Sequence, residues 1–148
     1  MIVFQTSIGI RRPAEDVFAY VCDPRNLPAW NSAVQAVRPT SAATSGVGST
    51  FSMKRELPNG PAINQLEVMA SKPPREFTIR TTAGPTPFLY RYQFAAHNGD
   101  TVVQLDARVE LDGIAGRLPQ LARRAVKKGV DDNLATLKVV LENRRQAR

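Results

Sequence analysis

The C-terminal part of the chain constrains its fold most. From Pro119 to Asn143 no further proline interrupts the run, and apolar residues recur at Val126, Val130, Leu134, Leu137 and Leu141. Steps of three and four place these residues on one face of an α-helix, and Pro119 suits a first helical turn, where its missing N–H is not needed. At 1.5 Å per residue, about 25 residues make a rod of about 38 Å. A rod with one apolar face needs a partner surface of similar length. The face is also uneven. Ala122, Ala125, Val126 and Gly129 belong to its early half, and Leu134, Leu137, Val140 and Leu141 to its late half. Large side chains fill space and small ones leave it, so a void between helix and partner is expected near the early half. Close packing of the small residues on a flat surface is the alternative.

The partner surface has to come from the remaining chain, which reads as strands. Met1 to Ile10 alternates, with Phe4, Thr6, Ile8 and Ile10 on one face and Val3, Gln5 and Ser7 on the other. Pro13-Ala14-Glu15-Asp16 starts a helix through Val17, Phe18, Tyr20 and Val21 that stops near Cys22, its two acids facing the positive end of the helix dipole. Asp23 is the expected N-cap of a second short helical piece that ends with Trp30. Period two then takes over, with strands expected at Val34–Arg38, Thr50–Leu57, Ile63–Ala70, Glu76–Ala83, Phe88–Ala96 and Thr101–Leu111. Glycine- and proline-rich punctuation separates them, and Asn98-Gly99 between two alternating runs signals a tight hairpin. Connections this short favour antiparallel neighbours. The expected fold class is therefore α+β: one domain over residues 1–148, with a seven-stranded antiparallel sheet and helices on one side.

Alternation also assigns the faces. Phe51, Met53 and Leu57 share one parity, as do Phe77, Ile79 and Thr81, then Phe88, Tyr90, Tyr92 and Phe94, and Val103, Leu105, Ala107 and Val109. These should face the long helix. Arg80, Arg91, Gln104, Asp106, Arg108 and Glu110 have the opposite parity and read as a solvated face with cross-strand ion pairs.

Composition narrows the function. One cysteine, Cys22, excludes an internal disulfide, and with a single histidine, His97, argues against a zinc site, so no metal or cofactor is expected. No apolar run approaches the ~20 residues of a membrane span, and the N-terminus lacks the pattern of a signal peptide, so a cytoplasmic protein without a transmembrane segment is expected. Nine of the 20 basic residues but only three of the 13 acids lie from Gly113 onward, so most of the net charge of +7 sits there. A basic helix can serve nucleic acid, an anionic membrane or a protein partner. Here no nucleic-acid motif accompanies it and no aromatics are interleaved. Arg123, Arg124, Lys127 and Lys128 read as a solvated face, with Asp131 and Asp132 as i,i+4 partners of the two lysines. Nucleic acid is not an expected partner.

The opening IGIRRPAEDVFAYVCDPRNLPAW resembles the start of the START/Bet v 1-like superfamily (SRPBCC), in particular its bacterial polyketide cyclase/dehydrase and lipid-transport branch. The resemblance rests on the first strand, Pro13, Val17-Phe18, Val21, Asp23, Asn26 and Trp30. At the other end it rests on a last strand through Val109, then Gly113 and a helix closing with Leu134, Leu137-Lys138 and Leu141-Glu142. It extends over essentially the whole chain. It implies a helix-grip fold, a curved antiparallel sheet wrapped around the C-terminal helix with a cavity between them. That superfamily includes cyclases, lipid carriers and hormone receptors, so the resemblance speaks for the fold more than for one function.

A cavity of this kind would be lined from the inward parity. The expected ligand-binding residues are Trp30, Phe51, Met53, Arg55, Phe77, Ile79, Thr81, Tyr90, Tyr92 and Leu105 from the sheet side and short helices. Ala125, Val126, Gly129 and Asn133 complete the set from the long helix. Arg55 would present a guanidinium to an acidic or carbonyl-bearing ligand, or bend out to water. Tyr90 and Tyr92 would orient or protonate a ligand oxygen, or hydrogen-bond to backbone as core tyrosines do. These three are the candidates for any catalysis. His97 adjoins a turn, a poor place for a general base, and Cys22 reads as a small core residue. The expected function is binding of a small hydrophobic or amphipathic, lipid- or polyketide-like ligand. A cyclase/dehydratase-like enzyme and an interaction module using the basic helix remain as alternatives.

Overall fold

The computed structural model describes residues 1–111 and 119–144. Gly113, which the family resemblance used, and Arg117, Arg145 and Arg148, which carry part of the basic charge, lie outside the described residues. The elements are β1 (Ile2–Ile10), α1 (Ala14–Val21), a 3-10 turn (Pro24–Asn26), α2 (Leu27–Trp30), β2 (Val34–Pro39), β3 (Thr50–Leu57), β4 (Gly60–Lys72), β5 (Glu76–Ala83), β6 (Phe88–His97), β7 (Asp100–Val109) and α3 (Pro119–Asn143). All seven strands form one antiparallel sheet in the order β1-β7-β6-β5-β4-β3-β2. The first and last strands therefore pair, Thr6 opposite Leu105, and the chain from β2 to β7 is a meander. This is the helix-grip arrangement.

Local chemistry accounts for the boundaries. Asp23 caps the 3-10 turn by accepting a hydrogen bond from Arg25 N at 3.0 Å. Pro13 stands one position before α1, and its carbonyl accepts from Asp16 N and Val17 N. At the β6–β7 hairpin, Asn98 and Gly99 both take positive φ, 51° and 85°, as the Asn-Gly pair predicts. β4 starts earlier than expected, at Gly60, and runs through Pro61. Pro61 lies beyond Gln65, the last residue paired with β5, so only β3 flanks the strand there. Bulges in β2 between Val34 and Ala36, and in β4 at Gln65/Leu66 and Val68/Ala70, bend the sheet around its inner face.

The predicted faces hold. Phe51, Met53, Phe77, Ile79, Tyr92, Phe94, Val103, Leu105, Ala107 and Val109 are buried on the inner side. On the outer face, Arg80 pairs with Glu67 at 3.2 Å and Arg91 with Glu76 at 2.6 Å. The late half of α3 supplies Leu134, Leu137 and Leu141, each almost wholly buried, and α1 packs Phe18 edge-on against Phe94 at 5.4 Å. Burying each leucine contributes about 1.5–3 kcal/mol.

Side chains from α3 hold it along the edge strand β1. Thr6 hydrogen-bonds to Asp131, Arg123 Nε donates to Val3 O at 3.2 Å, and Lys138 Nζ donates to Gly9 O at 2.8 Å. The last two bonds occupy backbone acceptors that a free edge would offer to another chain. The helix also meets its expected acids, Lys127 with Asp131 and Lys128 with Asp132, both at 2.9 Å. Much of the basic face is thus neutralised locally. No described helix is long and apolar enough to cross a membrane.

Candidate functional site

An enclosed cavity of about 60 Å³ lies under the inner face of the sheet, against α2 and the start of β2. Val34, Met53, Ile79 and Tyr92 form its buried floor. Leu27, Asn31, Ala33, Arg55, Phe88 and Tyr90, all half-buried, form its rim. A larger depression of about 530 Å³, with Met69, Leu89 and Arg108 among its walls, lies on the outer face and is open to water. The enclosed one carries the convergent polar groups of a ligand site.

Met53 and Arg55 point inward because they share parity on β3, as do Tyr90 and Tyr92 on β6. Arg55 does not bend out to water. Its Nε donates to Asn64 Oδ1 at 2.9 Å, and its Nη2 to Pro85 O at 2.7 Å and Thr86 O at 3.2 Å. Its guanidinium carbon stands 5.8 Å from the centre of the Phe88 ring, and Phe88 stacks on Tyr90 at 4.4 Å. Burial pushes the Arg55 pKa down, with Tyr90 opposing the shift. Tyr90 is pushed up to about 12 by burial, against the influence of Arg55. Burial, reinforced by Tyr90, raises Tyr92 further. At neutral pH both phenols are protonated. Among the described residues neither hydroxyl has a hydrogen-bond partner, so no described backbone group ties these tyrosines.

Asn64 is the functional residue that the sequence reading missed. It is fully buried, accepts from Arg55, and donates from Nδ2 to Pro85 O at 2.8 Å and Ala83 O at 3.3 Å. The available signal was its parity: on β4 it lies on the same face as Leu66 and Val68, so a polar side chain was directed inward. Gly84 completes the support. Its φ is +104°, and a Cβ there would stand 2.4 Å from Ile63 O and 2.6 Å from Asn64 Nδ2. Only glycine lets this turn close onto Asn64.

Of the expected lining residues, Met53, Arg55, Ile79, Tyr90 and Tyr92 come together on the cavity wall. Phe51, Phe77, Leu105 and Trp30 are core residues instead. The Thr81 hydroxyl accepts from Phe88 N at 3.0 Å and closes the β5–β6 hairpin. Asn133 accepts from Ser32 N at 3.2 Å, which ties α3 to the segment after α2. The expected contribution of α3 needs correction. Val126 packs half-buried against the core, while Ala125 and Gly129 are exposed, and a Cβ on Gly129 would have nothing within 4 Å. At 100° per residue, Ala125 and Gly129 are turned to the flank of the Val126–Val130 stripe. The enclosed space therefore lies against α2 and not against the small residues of α3. His97 is exposed, and Cys22 is half-buried with its thiol pushed up by burial.

Residues 1–142 match the family described as polyketide cyclase/dehydrase and lipid transport. The chain belongs to this family. A search of curated proteins finds no match. Among solved structures, a protein of Thermus thermophilus is similar with a TM-score of 0.79 and 15% identity, over 94% of this chain and 96% of that one. A START superfamily protein from Mycobacterium smegmatis gives 0.77 and 13%, over 95% and 97%. The di-domain ARO/CYC StfQ from the steffimycin biosynthetic pathway gives 0.76 and 14%, over 95% of this chain and 51% of that one. At these identities the likeness speaks for the START/Bet v 1-like fold, and ligand binding or cyclase-like chemistry in a hydrophobic cavity is what family and fold suggest.

Proposed function

We propose that this protein is a binding module that holds a small, mainly apolar molecule between the inner face of the sheet and α2. The observation that carries this reading is the pair of hydroxyls on Tyr90 and Tyr92. A tyrosine buried for packing alone normally satisfies its hydroxyl within the protein. Two hydroxyls on one cavity wall that have no partner among the described residues, yet are not sealed from water, instead suit a ligand that displaces that water and supplies the acceptor. The closed volume of about 60 Å³ holds about two waters at liquid density and is far below the roughly 300–1,000 Å³ of typical ligand pockets. A ligand of lipid or polyketide size therefore has to move the half-buried rim, Leu27 and Phe88 above all.

A cyclase/dehydratase-like enzyme is the second reading, favoured by the same Arg55, Tyr90 and Tyr92. Such a role would use them to hold a reactive chain and to donate protons to its oxygens. Proton removal needs a base within reach, and the described residues lining the cavity include neither a carboxylate nor a histidine. This weighs toward binding without turnover.

Native mass spectrometry of the purified protein, before and after organic extraction, tests the reading. A bound apolar compound that is lost on extraction is the expected result. Soaking emptied protein with a panel of lipids and polyketide-like aromatics, with no complex detected for any of them, would count against it.

A further inference from the structure

The cavity wall carries a charge that has no counter-charge among the described residues. Arg55 is held at three points, by Asn64, Pro85 O and Thr86 O, and all three acceptors are neutral. Arg12, whose side chain is also largely buried, meets a carboxylate instead, that of Asp16 at 2.9 Å. None of the ion pairs among the described residues includes Arg55. Its Nη1, with two N–H groups, has no partner among them either. Asn64 and the turn at Gly84 set the guanidinium plane from behind, so the unpartnered edge has a defined direction.

The neighbouring groups narrow the chemistry. Arg55 can only donate, and the protonated Tyr90 and Tyr92 have donors to spare. A neutral carbonyl would take up hydrogen bonds and leave the cation uncompensated. A carboxylate satisfies both, with acceptor sites enough for a guanidinium and two hydroxyls. The floor of Val34, Met53 and Ile79 offers no polar side-chain group, so the rest of the molecule there must be apolar.

We propose that the ligand of this cavity is an apolar monocarboxylate whose carboxylate is bound by Arg55 Nη1 and the hydroxyls of Tyr90 and Tyr92, with its hydrocarbon body on Val34, Met53 and Ile79. This rests on the binding reading above. The enclosed volume takes the carboxylate and the first few carbons, and the remainder leaves past Leu27 and Phe88.

The test uses the full chain loaded with the neutral fluorophore N-phenyl-1-naphthylamine at pH 7.5, displaced by decanoate or by 1-decanol. The alcohol has the same chain length and is the more hydrophobic, so non-specific uptake favours it. The expected result is displacement by decanoate at a concentration at least about tenfold lower. Arg55→Gln should bring the ratio to about one or below. Tyr92→Phe, which leaves the Asn64 network untouched, should lower it about threefold and decides the matter if Arg55→Gln does not fold. Arg108→Gln on the outer face removes the same charge and should leave the ratio unchanged. Fluorophore uptake with no preference for decanoate, or a preference that survives both Arg55→Gln and Tyr92→Phe, overturns the proposal while the binding reading stands. A loss in Arg108→Gln equal to that in Arg55→Gln assigns the effect to net charge and overturns it too. No fluorophore uptake overturns the binding reading, and the proposal with it.

Discussion

Two regions of the molecule, the C-terminal end of α3 and the cavity wall, each hold an arginine, and the arginines are treated differently. At the α3 end, Arg12 reaches across to the helix, where Nη1 donates to Leu141 O at 2.7 Å and Arg144 O at 3.2 Å, and Nη2 pairs with Asp16. Its own backbone carbonyl accepts from the buried Thr101 hydroxyl at 2.7 Å. The last carbonyls of a helix are an electrostatically negative site, and Arg12 fills it, sharing Leu141 O with Arg144 N at 3.3 Å. At the cavity end, Arg55 is equally well positioned but faces neutral acceptors and an unfilled space. The α3 end commits its charge to the protein itself and leaves only Arg12 Nε buried without a partner among the described residues. The cavity end leaves two hydroxyls and one guanidinium edge for something else.

The sharpest way to break this comparison is to remove the same apolar side chain at both ends. Leu137, wholly buried on the inner face of α3, should lose about 2–5 kcal/mol of stability on Leu137→Ala, because the cavity left behind cannot collapse. Leu27, half-buried on the cavity rim, should lose less than about 1.5 kcal/mol on Leu27→Ala, since little packing is given up there. Urea unfolding measures both, and equal losses would show the cavity end to be as well packed as the core under α3.

Removing a hydroxyl at each end has a smaller expected effect. Thr101→Val leaves the Arg12 carbonyl without its partner and should cost about 1–3 kcal/mol. Tyr92→Phe removes an oxygen that has no partner to lose and should change stability by less than about 0.5 kcal/mol. A loss above about 1 kcal/mol for Tyr92→Phe would show that the hydroxyl is satisfied within the fold.

The smallest effect is confined to acid. Glu142 of α3 accepts from Lys138 Nζ at 2.6 Å and Arg11 N at 2.9 Å, and these bonds hold its carboxyl down at about 2. A folded pKa below the unfolded value of about 4.3 means that the stabilisation is complete above about pH 4.3 and is lost as pH falls toward 2. Glu142→Gln should therefore flatten the decline of stability over this window and lower stability modestly at neutral pH. Parallel pH profiles for variant and wild type would contradict the assignment.

Much of this architecture was legible in the chain. Strand parity placed Met53, Arg55, Ile79, Tyr90 and Tyr92 on one face, and all five meet on the cavity wall. The stripe Val126–Leu141 located the inner face of α3, and Asn98-Gly99 marked the β6–β7 hairpin. Two readings were not available from pattern alone. Asn64 looked like one polar residue in an alternating strand, because its role depends on the distant turn at Gly84 closing over it. The small residues Ala125 and Gly129 suggested a void, but the rotation of α3 about its own axis, set by its bonds to Thr6, Val3 and Gly9, turns them outward.

What the sequence by itself determined is the order of elements, the faces of the strands and the apolar stripe of the long helix, because these follow from side-chain period along a single element. What only the tertiary structure decided is where space and unsatisfied charge remain. The position of the cavity against α2, and the lack among the described residues of a counter-charge for Arg55 and of partners for the hydroxyls of Tyr90 and Tyr92, depend on which groups from distant segments arrive beside them, and no local period carries that information.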